Sequence, residues 1–197
     1  MSIENFCIPV DLLPTLDNES CESILNYYRN NLHRFNSYDN VDGKTVAVQG
    51  ITRAGFSSLR LSDYEEGRKF GHGLLEKNKI FLNYENLCVV LQRSYYRLVP
   101  HTDPGRNVSL IFNIIGPAIT NFYEMENFVP NIDYSNTKLD LRASIEMKLR
   151  SWYLFNNAAI HAVEKIPKLL RIALVIHLGE KFDNFDTAKT NLTDILQ

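Results

Sequence analysis

The sequence predicts a mainly β fold of the α+β type, with short strands forming a sandwich or barrel and a helix flanking it at each end. Three observations carry this. Segments rich in β-branched and aromatic residues follow one another from about residue 86 to 178. Gly, Pro and Asn pairs separate them. Aromatics are plentiful, with ten Tyr and eleven Phe in 197 residues, which suits a β-rich core.

Taken in order, Asn18 to Phe35 reads as a helix. Asp17 or Asn18 is placed to cap it, and Ile24, Leu25, Tyr28 and Leu32 recur at helical spacing as its buried face. A polar turn-forming stretch, 36–43, precedes a short strand, KTVAVQG at 44–50. Residues 62–76 are mixed and helical in part. Then come NLCVVLQRSYYRLVP, closed by Pro100; NVSLIFNIIG, closed by Gly116 and Pro117; TNFYEME; SWYLFNN, turned by Asn156 and Asn157; AAIHAVE; and LLRIALVIHL. The tail, 186–197, reads as a closing helix. No linker interrupts the series, and the length suits a single domain over 1–197.

Composition narrows the function classes. Hydrophobic residues at 45% and charged residues at 22% describe a globular chain with a core. A net charge of -2 leaves no electrostatic footprint for nucleic acid. No apolar run approaches the roughly 20 residues of a membrane span, and MSIENFCIPVDLLP lacks the pattern of a signal peptide. Cys7, Cys21 and Cys88 are odd in number and widely spaced, which argues against a disulfide framework or a structural zinc site. The expectation is a soluble, cytoplasmic protein. Oligomeric state is not legible.

The chemistry-bearing residues are sparse. HTD at 101–103 follows a strand-like run, and in an extended segment His101 and Asp103 point the same way. His161 lies in a later strand. Two imidazoles and one carboxylate can hold iron(II) on one face and leave the opposite positions open. Taken singly, each has a bland reading, a turn residue or a satisfied core histidine. Arg171, ten residues after His161, interrupts the apolar run LLRIALVI. A cation in a buried strand needs a partner, either a protein carboxylate or an acidic ligand. Its planar fork suits a carboxylate.

HTD followed by NNAAIHAVEKIPKLLRIALVIHL resembles the 2-oxoglutarate/iron(II) oxygenase superfamily over about residues 86–178. Within it, PHTDPGRNVSLIFNIIG and FNNAAIHAVEK are most similar to the aspartyl/asparaginyl β-hydroxylase branch, with prolyl-hydroxylase-like members next nearest. The resemblance implies a double-stranded β-helix (jelly-roll) core and a metal site of His101, Asp103 and His161. It further implies Fe(II) as metal, with 2-oxoglutarate and O2 as co-substrates and Arg171 binding 2-oxoglutarate. It points to a hydroxylase of a peptide or protein side chain of the Asp, Asn or Pro type. A hydroxylase of a free small molecule and a non-catalytic cupin-like binding protein are the alternatives.

Departures from the family pattern also inform. The position two residues after Arg171, often Ser, is Ala173. The turn before the distal histidine, often acidic, is Asn156-Asn157. Asp103 argues against a halogenase, in which a small residue makes room for chloride. Ser109 and Asn113 share a strand face, and Tyr95 and Arg97 share another. Ser109, Asn113 and Tyr95 are candidate co-substrate contacts, while Arg97 competes with Tyr95 for the site wall. Arg106 and Asn107 are candidate substrate contacts. Trp152 is expected in the core. His33, His72 and His177 carry no assigned role. Residues 1–85 hold no motif, so the substrate stays open.

Overall fold

The computed structural model of the protein describes residues 2–37, 56–82, 88–94, 98–103, 106–129, 139–164, 170–178 and 182–195. In chain order the described strands are β1 (Cys7–Pro9), β2 (Asn36–Ser37), β3 (Phe56–Arg60), β4 (Cys88–Ser94), β5 (Leu98–His101) and β6 (Val108–Ile115). They continue as β7 (Ala118–Glu124), β8 (Asp140–Met147), β9 (Trp152–Asn156), β10 (Ile160–Val163) and β11 (Arg171–His177). The helices are α1 (Asn18–Asn30), α2 (Glu65–Lys77), α3 (Phe185–Thr190) and α4 (Leu192–Ile195). None is long and apolar enough to cross a membrane.

Two antiparallel sheets result. The larger runs β1-β9-β6-β11-β4-β3-β2, and the smaller runs β5-β10-β7-β8. From β4 onward the chain passes back and forth between them, with β4, β6, β9 and β11 in one and β5, β7, β8 and β10 in the other. This is the weave of a jelly roll. β11 lies centrally, paired with β4 on one side and β6 on the other.

Alternation along β6 divides two cores. Val108, Leu110, Phe112 and Ile114 face outward and join Ile24 and Tyr28 of α1, Leu74 and Leu75 of α2, and Phe185 of α3. Ile111 faces inward, where it meets Val90, Phe122, Met147, Tyr153, Phe155, Ala173 and Val175 between the sheets. Ser109 and Asn113 share its parity, and both are fully buried. Trp152 belongs to the outer core, and its indole Nε1 donates to the Pro14 carbonyl at 3.0 Å.

The predicted N-terminal helix is shorter than expected. Asp17 caps it by accepting from the Ser20 amide at 2.6 Å, but it ends at Asn30, and a 3-10 turn, Leu32–Arg34, follows. Leu32 is therefore rotated off the buried face and is 46% exposed, while Ser20 and Cys21 are buried instead. Residues 62–76 give way to α2, which packs against the outer core. The predicted strand at 44–50 lies outside the described residues. β1, β2, β3 and β8 were not anticipated, β2 standing at the start of the stretch read as a turn. β8 alternates exposed and half-exposed residues over most of its length at the edge of the smaller sheet, so its sequence DLRASIEM carries little apolar signal.

Candidate metal centre

His101 ends β5, and His161 sits in β10 directly opposite it in the antiparallel register. Cross-strand partners present their side chains on the same face. The two rings accordingly lie with centroids 4.3 Å apart, and both are buried. Phe155 meets the His161 ring edge-on at 5.0 Å, and Phe122, its partner on β7, lies behind. The Nδ1 of His161 is 2.9 Å from the Ala159 carbonyl, so Nδ1–H donates there and Nε2 turns toward Asp103.

The turn into β10 is built by asparagine. Asn156 Oδ1 accepts from the amides of Ala158 and Ala159, both at 3.2 Å. Asp103 follows His101 by two residues and is pinned to this turn, its amide donating to the Asn157 carbonyl at 3.0 Å. Its Oδ1 lies 4.0 Å from His101 Nε2 and its Oδ2 3.9 Å from His161 Nε2. The donor atoms of His101, Asp103 and His161 all fall within 4.8 Å of one another. A nitrogen–nitrogen–oxygen donor set from one side fits a divalent transition metal that keeps open positions.

The triad borders a cleft of about 520 Å³, open mouth included. The smaller sheet contributes Thr120, His161 and Val163, and the larger contributes Gln92, Ile111, Val175 and Arg171. Arg171 begins β11 on the inner face, in line with Ala173 and Val175. Its Nε donates to Asn113 Oδ1 at 3.1 Å, and no described carboxylate pairs with it. Burial pulls its pKa down to about 10, so it remains a cation at neutral pH. Among the described residues the lining holds one carboxylate, Asp103, against two guanidinium groups, Arg106 and Arg171.

The remaining candidates fall in different places. Asn113 supports Arg171 from beneath and also donates to the Met147 carbonyl at 3.4 Å. Ser109 faces inward but does not line the cleft. Its hydroxyl meets His177 Nδ1 at 2.8 Å. Tyr95 and Arg97 lie outside the described residues. Arg106 lines the cleft, whereas Asn107 turns its side chain to the Asp183 carbonyl at 2.8 Å. Gln92 and Thr120 line it without having been singled out, as does Asn157, which the sequence offered only as a turn residue. Gln92 and Thr120 lack any sequence signal beyond a polar residue in an apolar strand.

No protein-family model matches the chain, and no curated protein matches it in sequence. Solved structures do match in fold. A prolyl hydroxylase in complex with a hypoxia inducible factor oxygen degradation domain peptide fragment, from Trichoplax adhaerens, superposes with a TM-score of 0.54 at 12% identity. The match covers 90% of this chain and 85% of that one. The non-heme alpha ketoglutarate dependent epimerase SnoN from nogalamycin biosynthesis gives 0.50 at 10% identity over 88% and 79%. At these identities the likeness is one of fold, and the chain shares the antiparallel double-sheet fold of these two proteins.

Proposed function

We propose that this protein is a non-haem iron(II) oxygenase that uses 2-oxoglutarate and O2 to hydroxylate a peptide or protein side chain of the Asp, Asn or Pro type. The observation that carries this is the convergence of His101, Asp103, His161 and Arg171 on one cleft from two facing sheets. Of the two structures described above, one is named a prolyl hydroxylase and was solved with a peptide, and the other is named a non-heme alpha ketoglutarate dependent epimerase.

The chain's own residues have separable tasks. His101 and His161 would hold the metal through Nε2 as neutral imidazoles, and Asp103 would supply the anionic oxygen. Arg171 would grip the far carboxylate of 2-oxoglutarate, steadied by Asn113. Ile111, Val163 and Val175 give the cleft apolar walls that limit water. Iron(II) with 2-oxoglutarate and O2 supplies the oxidising power when bound, and the co-substrate leaves as succinate and carbon dioxide. Arg106, the second cation of the cleft, provides a counter-ion for an acidic group on the substrate.

Anaerobic calorimetry with Mn(II) tests the assignment. Wild-type protein should bind Mn(II) and then 2-oxoglutarate. Arg171→Ala should weaken 2-oxoglutarate by roughly 30-fold or more, as expected when one partner of a buried charge pair is removed, with Mn(II) affinity unchanged. Equal co-substrate affinity in the variant would remove Arg171 from the site. Absence of metal-dependent 2-oxoglutarate binding in the wild type would favour the non-catalytic binding protein. Succinate formation stimulated by small metabolites but not by peptides would favour the small-molecule hydroxylase.

A further inference from the structure

We infer that Asn157 is a positioning residue for Asp103, holding one carboxylate oxygen so that the other meets the metal. This role rests on the metal site proposed above.

Asn157 follows β9, lies in the cleft wall and is 4% exposed. Three hydrogen bonds tie it to the HTD turn across a long stretch of chain. Asp103 N donates to the Asn157 carbonyl at 3.0 Å, and Asn157 N donates to the Asn107 carbonyl at 3.0 Å. Asn157 Nδ2 donates to Asp103 Oδ2, also at 3.0 Å. The orientation of the amide follows from chemistry, because an ionised carboxylate only accepts and the amide nitrogen must therefore face it. Donation to Oδ2 draws charge from that oxygen. With Oδ2 3.9 Å from His161 Nε2 and Oδ1 4.0 Å from His101 Nε2, fixing Oδ2 also fixes where Oδ1 stands between the two imidazoles.

The other end of the same amide is the second observation. Asn157 Oδ1 is buried and meets no hydrogen-bond donor among the described residues. A buried carbonyl without a partner keeps its desolvation penalty with nothing to offset it. A residue present only to fill the turn would not need that sacrifice, since an apolar side chain of similar volume avoids it. The unsatisfied oxygen is intelligible if the position is held for what its nitrogen does to Asp103. Aspartate here would set a second carboxylate against Asp103 and lacks the donor. The neutral amide keeps the carboxylate fixed without competing for the cation.

Co(II) is the probe, because its visible absorption reports ligand geometry as well as binding. Wild-type protein should bind Co(II) at the triad. Asn157→Ala should lower Co(II) affinity about ten-fold or more, as loss of an outer-shell partner does, and should change the visible spectrum. Asn157→Ser, which keeps a polar side chain but lacks the amide's reach, should show the same losses. A variant with altered thermal stability but wild-type Co(II) affinity and spectrum overturns the role and leaves Asn157 merely structural. Should both variants fail to fold, Zn(II) added to 15N-labelled wild-type protein still decides. An asparagine side-chain amide must shift on binding, and if none does the inference is overturned. Failure of the wild type to bind Co(II) overturns the metal site itself, an outcome distinct from unchanged binding in the variants.

Discussion

His177 is buried at the end of β11, with Nδ1 against Ser109 Oγ and Nε2 without a partner among the described residues. Burial, helped by the positive field of Arg106, pushes its pKa down to about 4. The unfolded chain, with an ordinary histidine near 6.5, binds the proton first. The stability linked to His177 is thus fully present above pH 6.5 and is lost as pH falls toward 4. The loss is on the order of 3 kcal/mol. Urea unfolding from pH 7 to 4.5 should show this slope, and His177→Leu should flatten it. A variant with the wild-type slope would show that the histidine is not held neutral. Nothing in the sequence marked His177, because its state depends on Ser109 across the sheet and on the packing around both.

Among the elements, the turn from β6 to β7 governs where β11 begins. Gly116 has φ +78°, and a Cβ there would stand 2.5 Å from the Leu170 carbonyl oxygen and 2.8 Å from Arg171 Cα. Gly116→Ala should destabilise by about 2 kcal/mol or more, through backbone conformation and contact together. Because the contact falls on Arg171, 2-oxoglutarate affinity should drop more than Mn(II) affinity. Calorimetry on the variant measures both, and equal losses would separate Gly116 from the placement of Arg171.

The same elements show what the sequence discloses. β6 and β11 are legible because their apolar runs are bounded by turn residues, and Arg171 stands out against its neighbours. The pattern of His101, Asp103 and His161 could be proposed from spacing and resemblance. The cross-strand register that sets the two histidines side by side could not. β8 escapes notice because an edge strand need not be apolar. Asn157 looks like an ordinary turn residue until Asp103, distant in sequence, is brought against it.

At the scale of the whole molecule, the cleft joins two sheets. The histidines belong to the smaller sheet and Arg171 to the centre of the larger. What separates them is the inner core. Phe122, with no exposed surface, stacks on Phe6 at 5.0 Å and meets Phe155 at 5.3 Å between the layers. Packed sheets keep about 10 Å between them, so under the proposed function a ligand bridging metal and guanidinium would be measured as between the jaws of a calliper. The core side chains between the layers hold the two sheets apart. Phe122→Leu should let the jaws close slightly and shift preference from 2-oxoglutarate toward the one-carbon-shorter oxaloacetate. The ratio of the two dissociation constants on Mn(II)-loaded protein reads this directly, and an unchanged ratio would mean that the gauge lies elsewhere. On this view a residue that never touches the ligand fixes how long the ligand is allowed to be.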